Sequence, residues 1–290
     1  MSAPAPRVIV DRAFRLAENP LWDADRNRVL WTDIEAGEVF AMDWGGGGAG
    51  AVERLYHGPK VGGFTLQRDG SVLLFRERDV AVLDARGGVR TVLDAPNDKA
   101  TRFNDCMALP SGAVIAGTIS HPRTDAGLHS LSVDGMFVHV AAETGISNGL
   151  SLSPPPDHRW VYWTCSTTNR IYRYAFDART DALGARTILH QAPEGTGTPD
   201  GLTVDAAGRL YSARWGGSMV AVIDPESGAI LQRIAVPGKH ATSCVFAGPE
   251  LDVLVVTIAE GPIVAVEGVG RGLAEFRSGI LTPSASRTAP

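Results

Sequence analysis

The sequence predicts an all-β protein, a six-bladed β-propeller with four-stranded antiparallel blades around a central channel. Three observations predict it. Glycine (33) and proline (18) interrupt the 290 residues at short intervals, as many short strands joined by tight turns require. No 11-residue window carries a 3.6-residue apolar period, so long amphipathic helices are not expected. One strand–turn–strand unit recurs at roughly the 40–50-residue spacing of a propeller blade. Solenoid repeats of this length are mostly helical, which disfavours that rival geometry.

The first element is "RVIVDRAFRL" (7–16). It has strand character and precedes the first blade, so it is expected to supply the outer strand of the sixth, removing a free sheet edge. The inner strands then start near Leu21, Leu66, Met107, Leu150, Leu202 and Val245, at intervals of 45, 41, 43, 52 and 43 residues. Two segments align without gaps, "VLWTDIEAGEVF" (29–40) and "VYWTCSTTNRIY" (161–172), placing Asp33 and Cys165 in one slot. A finer spacing recurs: Gly62, Asn104 and Asp200 each precede a glycine (Gly70, Gly112, Gly208) by eight residues. "GGGGAG" (45–50) lacks a following Lys-Ser/Thr and reads as a flexible inter-strand loop, not a phosphate cradle. The chain 1–290 reads as a single propeller domain, with residues 1–6 and about 280–290 as flexible tails.

Composition narrows the function classes. A hydrophobic content of 44% with 20% charged residues describes an ordinary globular chain. A net charge of −5 with no basic run argues against a nucleic-acid partner. No segment approaches the roughly 18 apolar residues of a membrane span. Cys106, Cys165 and Cys244 have no paired spacing, which suits buried thiols in a reduced compartment. The start lacks the pattern of a secretory signal, so a cytoplasmic location is expected. The seven histidines are scattered without metal spacing and are expected to face solvent for the most part.

In a propeller the innermost strands run the same way around one channel, so residues at equivalent strand mouths converge. Reading the mouths in turn gives Glu18, Gly62, Asn104, Asn148, Asp200 and Ser243. Two adjacent carboxylates repel unless one is protonated or a cation lies between them. Carboxylate and carboxamide oxygens are hard donors, suited to Ca²⁺, Mg²⁺ or Mn²⁺. Each residue also has a plainer reading. Asp200-Gly201 and Asn148-Gly149 are common turn pairs, Glu18 before Asn19-Pro20 could be a solvated loop residue, and Arg102 could pair with Asp105 on the surface. Their shared phase in the repeat favours a site.

These residues carry a resemblance. "LAENPLWD" (16–23), "RFNDCMALPSGAVIAGT" (102–118), "ISNGLSLSP" (146–154), "PDGLTVDAAGRLYSARWGG" (199–217) and "TSCVFAGP" (242–249) follow in order. Together they resemble the SMP-30/gluconolactonase/luciferin-regenerating-enzyme family over about residues 14–260. The resemblance implies one divalent cation held by Glu18, Asn148 and Asp200. It also implies that Arg102 and Asn104 contact substrate, with His121 standing where some relatives carry a substrate-facing acid. Departures fall at Asn19 (a glycine in the family, free to take positive φ), Cys106, Cys165 and His121-Pro122.

The expected activity is hydrolysis of a sugar lactone to its aldonic acid through metal-activated water, with Asp200 or Glu18 as general base. Ca²⁺ is the expected cation, with Zn²⁺, Mn²⁺, Mg²⁺ or Fe²⁺ as alternatives, and the protein is expected to be a monomer or weak homodimer. Two rival readings are an esterase or phosphotriesterase using the same cation, and a calcium- or sugar-binding propeller without turnover.

Overall fold

The computed structural model describes residues 5–45, 50–94 and 100–280; most of the Gly45–Gly50 loop and the two chain ends fall outside the described residues. The first strand, β1 (Arg7–Phe14), stands apart from the blade that follows it. Blade one comprises β2 (Ala17–Asp23), β3 (Arg28–Asp33), β4 (Glu38–Asp43) and β5 (Val52–His57). Blade two comprises β6 (Val61–Leu66), β7 (Val72–Arg76), β8 (Asp79–Leu83) and β9 (Val89–Asp94). Blade three comprises β10 (Arg102–Ala108), β11 (Val114–Ile119), β12 (Ala126–Leu131) and β13 (Phe137–Thr144). Blade four comprises β14 (Ser147–Leu152), β15 (Trp160–Cys165), β16 (Arg170–Asp177) and β17 (Ala182–Gln191). Blade five comprises β18 (Thr198–Val204), β19 (Leu210–Trp215), β20 (Met219–Ile223) and β21 (Ile230–Ala235). Blade six comprises β22 (His240–Ala247), β23 (Val253–Ala259) and β24 (Gly261–Glu267), completed by β1. Arg7 pairs with Ala265 and Phe14 with Gly261, so the start of the chain closes the ring as its sequence pattern predicts. The one helical turn among the described residues is Ser166–Thr168.

The core is divided among the seams between neighbouring blades. Tyr211, Val220 and Ile234 of blade five pack against Phe246, Leu254 and Val256 of blade six. Phe14, Ile263 and Val255 of blade six pack against Trp31 and Phe40 of blade one. Comparable apolar clusters fill the other four seams. Each blade is buried on both faces, which explains its near-continuous apolar strands, and closing the ring is what buries the first and last.

The sequence repeats acquire physical causes. In the aligned windows Trp31 stacks on Phe40 at 5.7 Å and Trp163 on Tyr172 at 5.5 Å, each a cross-strand pair inside a seam. The eight-residue spacing measures an inner strand from mouth to distal hairpin. Gly70, Gly112 and Gly208 take φ of +82°, +97° and +87° there, a left-handed turn that favours glycine. Two histidines differ from expectation: His129 and His190 are buried within the blades, because each packs its ring inward from an outer strand region. After β24 the chain crosses the distal end of the channel as a strap. Gly272 bridges Asp205 of blade five, Ser278 bridges Gln67 of blade two, and Arg277 pairs with Asp25 at 2.9 Å and Asp23 at 3.3 Å.

Candidate active site

Every inner strand breaks register at its mouth. The irregularities fall between Glu18 and Leu21, Val61 and Gly63, Phe103 and Cys106, Asn148 and Leu150, Pro199 and Leu202, and Ala241 and Ser243. A bulge inserts an unpaired residue and re-aims the side chains beside it. Six bulges at one level therefore turn polar groups into the channel where strict alternation would send half of them into a seam. The inner strands also approach closely. A Cβ on Gly201 would lie 2.2 Å from Ser243 Oγ, and one on Gly149 would lie 2.6 Å from the Asp200 carbonyl oxygen.

Glu18, Asn104, Asn148, Asp200 and Ser243 are all buried at this level. Glu18 and Asn148 lie opposite Thr32 and Thr164, the threonines of the repeated Trp-Thr pairs. Asn104 Nδ2 donates to Ser147 O at 2.6 Å and to Asn148 Oδ1, and Arg102 donates to Asn104 Oδ1. Asn148 Nδ2 donates to Ser166 Oγ at 2.9 Å, which in turn donates to Pro199 O at 2.7 Å. Blades three, four and five are thus tied into one polar network at the mouth.

Arg102 is half-buried and spends hydrogen bonds on Phe103 O, at 2.9 Å, and on Asn104. The surface pairing with Asp105 does not form, because the bulge in β10 turns Asp105 inward, where it is 6% exposed. Asp105 is the principal site residue that sequence reasoning missed. The strand's break in alternation was the missing signal, since two adjacent residues cannot both face a channel in regular β structure.

Three buried carboxyl groups, Glu18, Asp105 and Asp200, now lie near enough to repel one another. Burial raises Glu18 well above the usual carboxylate range, with Asp200 and Asp105 adding repulsion and the Asn19 N–H and Arg102 opposing. Asp200 is likewise raised by burial and Asp105, against Arg102, the Gly201 N–H and Asn148. Burial pushes Asp105 up to about 7 despite Arg102. Burial pulls Arg102 down, while the charges of Glu18, Glu35, Asp105 and Asp200 hold it up. Asp200 Oδ1 is buried with no hydrogen-bond partner.

These observations test the implied cation. An orphaned carboxylate oxygen, a second buried acid and a carboxamide are the oxygen-rich donor set that hard divalent ions take. Among the described residues no three His, Cys, Asp or Glu side chains gather to hold a metal by themselves, so the Asn148 amide is needed to complete a set of three. The residues fit.

The family departures are mostly structural. Asn19 takes the positive φ, 46°, despite replacing glycine. Asparagine tolerates that region better than most residues, and here Asn19 Oδ1 accepts from the Phe64 N–H while its own N–H donates to Glu18 Oε2 at 3.1 Å. Cys165 lies in the apolar seam and contacts Thr144 Oγ1 at 3.1 Å, away from the channel. Asp33, its counterpart, accepts from the Arg15 and Leu16 N–H groups at 2.9 and 3.0 Å and fixes the entry to blade one. His121 is exposed on the turn after β11, two residues past Ile119, the partner of Arg102. That position is on the mouth face but outside the buried cluster.

Below the mouth lies a cavity of about 500 Å³, bounded by the distal halves of the inner strands and by the strap. Asn19, Asp105 and Ser243 form the layer shared between cavity and mouth.

Comparisons with known proteins agree with this architecture. The chain is 39% identical over 257 residues to the pentonolactonase XacC of Haloferax volcanii, covering 87% of this chain and 84% of that protein. It is 31% identical over 256 residues to a 6-deoxy-6-sulfogluconolactonase of Pseudomonas putida, covering 87% and 86%. A luciferin-regenerating enzyme shares the fold with a TM-score of 0.88 at 23% identity, covering 95% of this chain and 99% of that one. The model of the SMP-30/Gluconolactonase/LRE-like region matches residues 16–260. With the ring of six blades and the polar mouth, that match places the chain in the SMP-30/gluconolactonase/LRE-like family.

Proposed function

We propose that the protein is a divalent-metal-dependent lactonase that opens a sugar lactone to its aldonic acid. The observation that carries this reading is the buried acid cluster at the channel mouth, with Asp200 Oδ1 unpartnered and Arg102 beside it. The sugar-lactone class is supported by two relatives whose names specify lactones, a pentonolactonase and a sulfogluconolactonase. Glu18, Asn148 and Asp200 would hold the cation, and when bound it would supply Lewis-acid polarisation of the lactone carbonyl and charge for the oxyanion. Oxygen donors of this kind favour Ca²⁺.

The chain's own groups do the rest. The N–H groups of Arg102 not given to Phe103 and Asn104 face the lactone and orient its oxygens. Asn104 is held by Arg102, Ser147 and Asn148, so it presents a fixed dipole. Asp200 or Glu18 takes a proton from the attacking water; general-base help of this kind contributes roughly 10²–10⁴-fold. Burial of the cluster strengthens each of these interactions by excluding bulk water.

A panel of pentono- and hexonolactones, nitrophenyl esters and phosphotriesters, assayed after chelation and after metal add-back, tests the proposal. Lactone turnover that disappears on chelation and returns with metal is expected. Glu18→Gln and Asp200→Asn should each lose both bound metal and turnover. Full turnover and metal content in both variants would overturn the proposal.

A further inference from the structure

Arg76 and Arg214 occupy the same place in blades two and five. Each lies on its blade's second strand, paired with the inner-strand residue just before the mouth, Val61 or Pro199. Each also reaches back to the preceding blade, Arg76 to the Tyr56 hydroxyl and Arg214 to His190. Tyr56 and His190 are themselves equivalent: they pair with Val39 and Ile171, which pair in turn with Thr32 and Thr164. The two seams are therefore built alike, and they differ in charge.

Between blades one and two every group is answered. Asp79, immediately before Val80, clasps Arg76 through both oxygens, and Thr91 Oγ1 accepts from it at 3.1 Å. Thr32 Oγ1 donates to Glu38 O and Val61 O. Between blades four and five, Met219 stands in the place of Asp79, immediately before Val220, and Arg233, a second cation, in that of Thr91. Arg214 is fully buried, and its one side-chain hydrogen bond among the described residues runs from Nη2 to His190 Nε2 at 2.9 Å. Its Nε and Nη1 have no partner, and neither has Thr164 Oγ1 in the same seam. His190 Nδ1 donates to Gly228 O at 2.8 Å, so the ring faces Arg214 as a neutral acceptor. Burial pulls Arg214 down to about 10, which leaves it protonated at neutral pH. A buried cation is costly unless an anion answers it.

We propose that the seam between blades four and five holds a small monovalent anion, chloride, bound by the free N–H groups of Arg214 with the Thr164 hydroxyl as a further donor. It supplies there the charge that Asp79 supplies on the opposite side of the ring. A divalent oxyanion would leave one charge uncompensated in a dry seam, and water would satisfy the N–H groups without answering the charge. Arg214 is paired with Pro199, the neighbour of Asp200, so the anion fastens the blades that carry Asn148 and Asp200. The proposal is independent of the activity at the mouth.

The test exchanges sodium methanesulfonate for sodium chloride at constant ionic strength, with the full chain, and reads chloride NMR line broadening and thermal melts. The parent should broaden the chloride line, and bromide should compete. Its melting temperature should rise saturably, by roughly 3 °C at ten times Kd. Arg214→Met should lose both effects. Met219→Asp, which rebuilds the acid of blade two, should also lose them while melting at or above the chloride-free parent. The proposal is overturned if the parent shows no saturable broadening or shift, which would leave water on the guanidinium. It is also overturned if chloride effects of the parent's size persist in Met219→Asp or in a folded Arg214→Met protein.

Discussion

Asp105 offers the sharpest test of the electrostatics. Its carboxyl is 6% exposed, accepts no hydrogen bond among the described residues, and is pushed up to about 7 by burial. A carboxyl whose folded-state pKa is raised binds its proton more tightly folded than unfolded. Its contribution is therefore fully present below the unfolded value of about 4 and is lost as pH rises through about 7. A rise of about 3 units at about 1.4 kcal/mol each corresponds to roughly 4 kcal/mol withdrawn from the metal-free protein by pH 8. Asp105→Asn is nearly isosteric and cannot ionise. In chelator, it should melt close to the parent at pH 4–5 and above it at pH 8, by up to roughly 10 °C at a few degrees per kcal/mol. Urea melts across pH 5–8 read the same difference as a free energy. A variant whose advantage does not grow between pH 5 and pH 8, or that is less stable at pH 8, would refute the reasoning. The raised values at Glu18 and Asp200 have the same sign. Metal added at pH 8 should therefore stabilise the parent, since it answers the charge that burial leaves exposed to repulsion.

Other outcomes follow from the packing. Gly201→Ala brings a Cβ within 2.6 Å of the Ser243 Cα, a backbone clash, so thermal melts should show a loss of about 1–3 kcal/mol together with weaker metal retention as Asp200 shifts. Deleting residues 1–14 removes the buried side chains of Ile9, Val10 and Phe14 and reopens blade six. At about 1.5–3 kcal/mol per side chain, roughly 5 kcal/mol should vanish from the urea midpoint analysis. Asn19→Ala forces alanine to φ 46° and strands the Phe64 N–H. It should cost about 2 kcal/mol or more, whereas Asn19→Gly should recover the strain part of that loss in the same melts.

Much of the molecule was legible because its information is local. Turn glycines at eight-residue spacing report positive φ at Gly70, Gly112 and Gly208, a requirement that each residue states by itself. Apolar runs such as "VLWT" and "VYWT" report strands buried on both faces, and their stacked aromatics confirm the alignment. The opening strand was legible as well, since the ring otherwise leaves β24 an exposed edge. Cys165 was harder to place. Its slot matches Asp33, but one side chain lies in a seam and the other caps backbone N–H groups, a difference that neighbours in space decide.

By itself, the sequence determined the blade count, the closing strand and the phase at which Glu18, Asn104, Asn148, Asp200 and Ser243 recur. Tertiary structure alone decided that Asp105 joins the acids, that a strap crosses the distal end of the channel, and that the repeat-marking inner-strand residues line a cavity. The physical reason is the range of the forces involved. Alternation and turn conformation act over a few residues and leave a readable period. Bulges break that period, and burial and charge repulsion depend on groups that closure brings together from blades far apart in the chain.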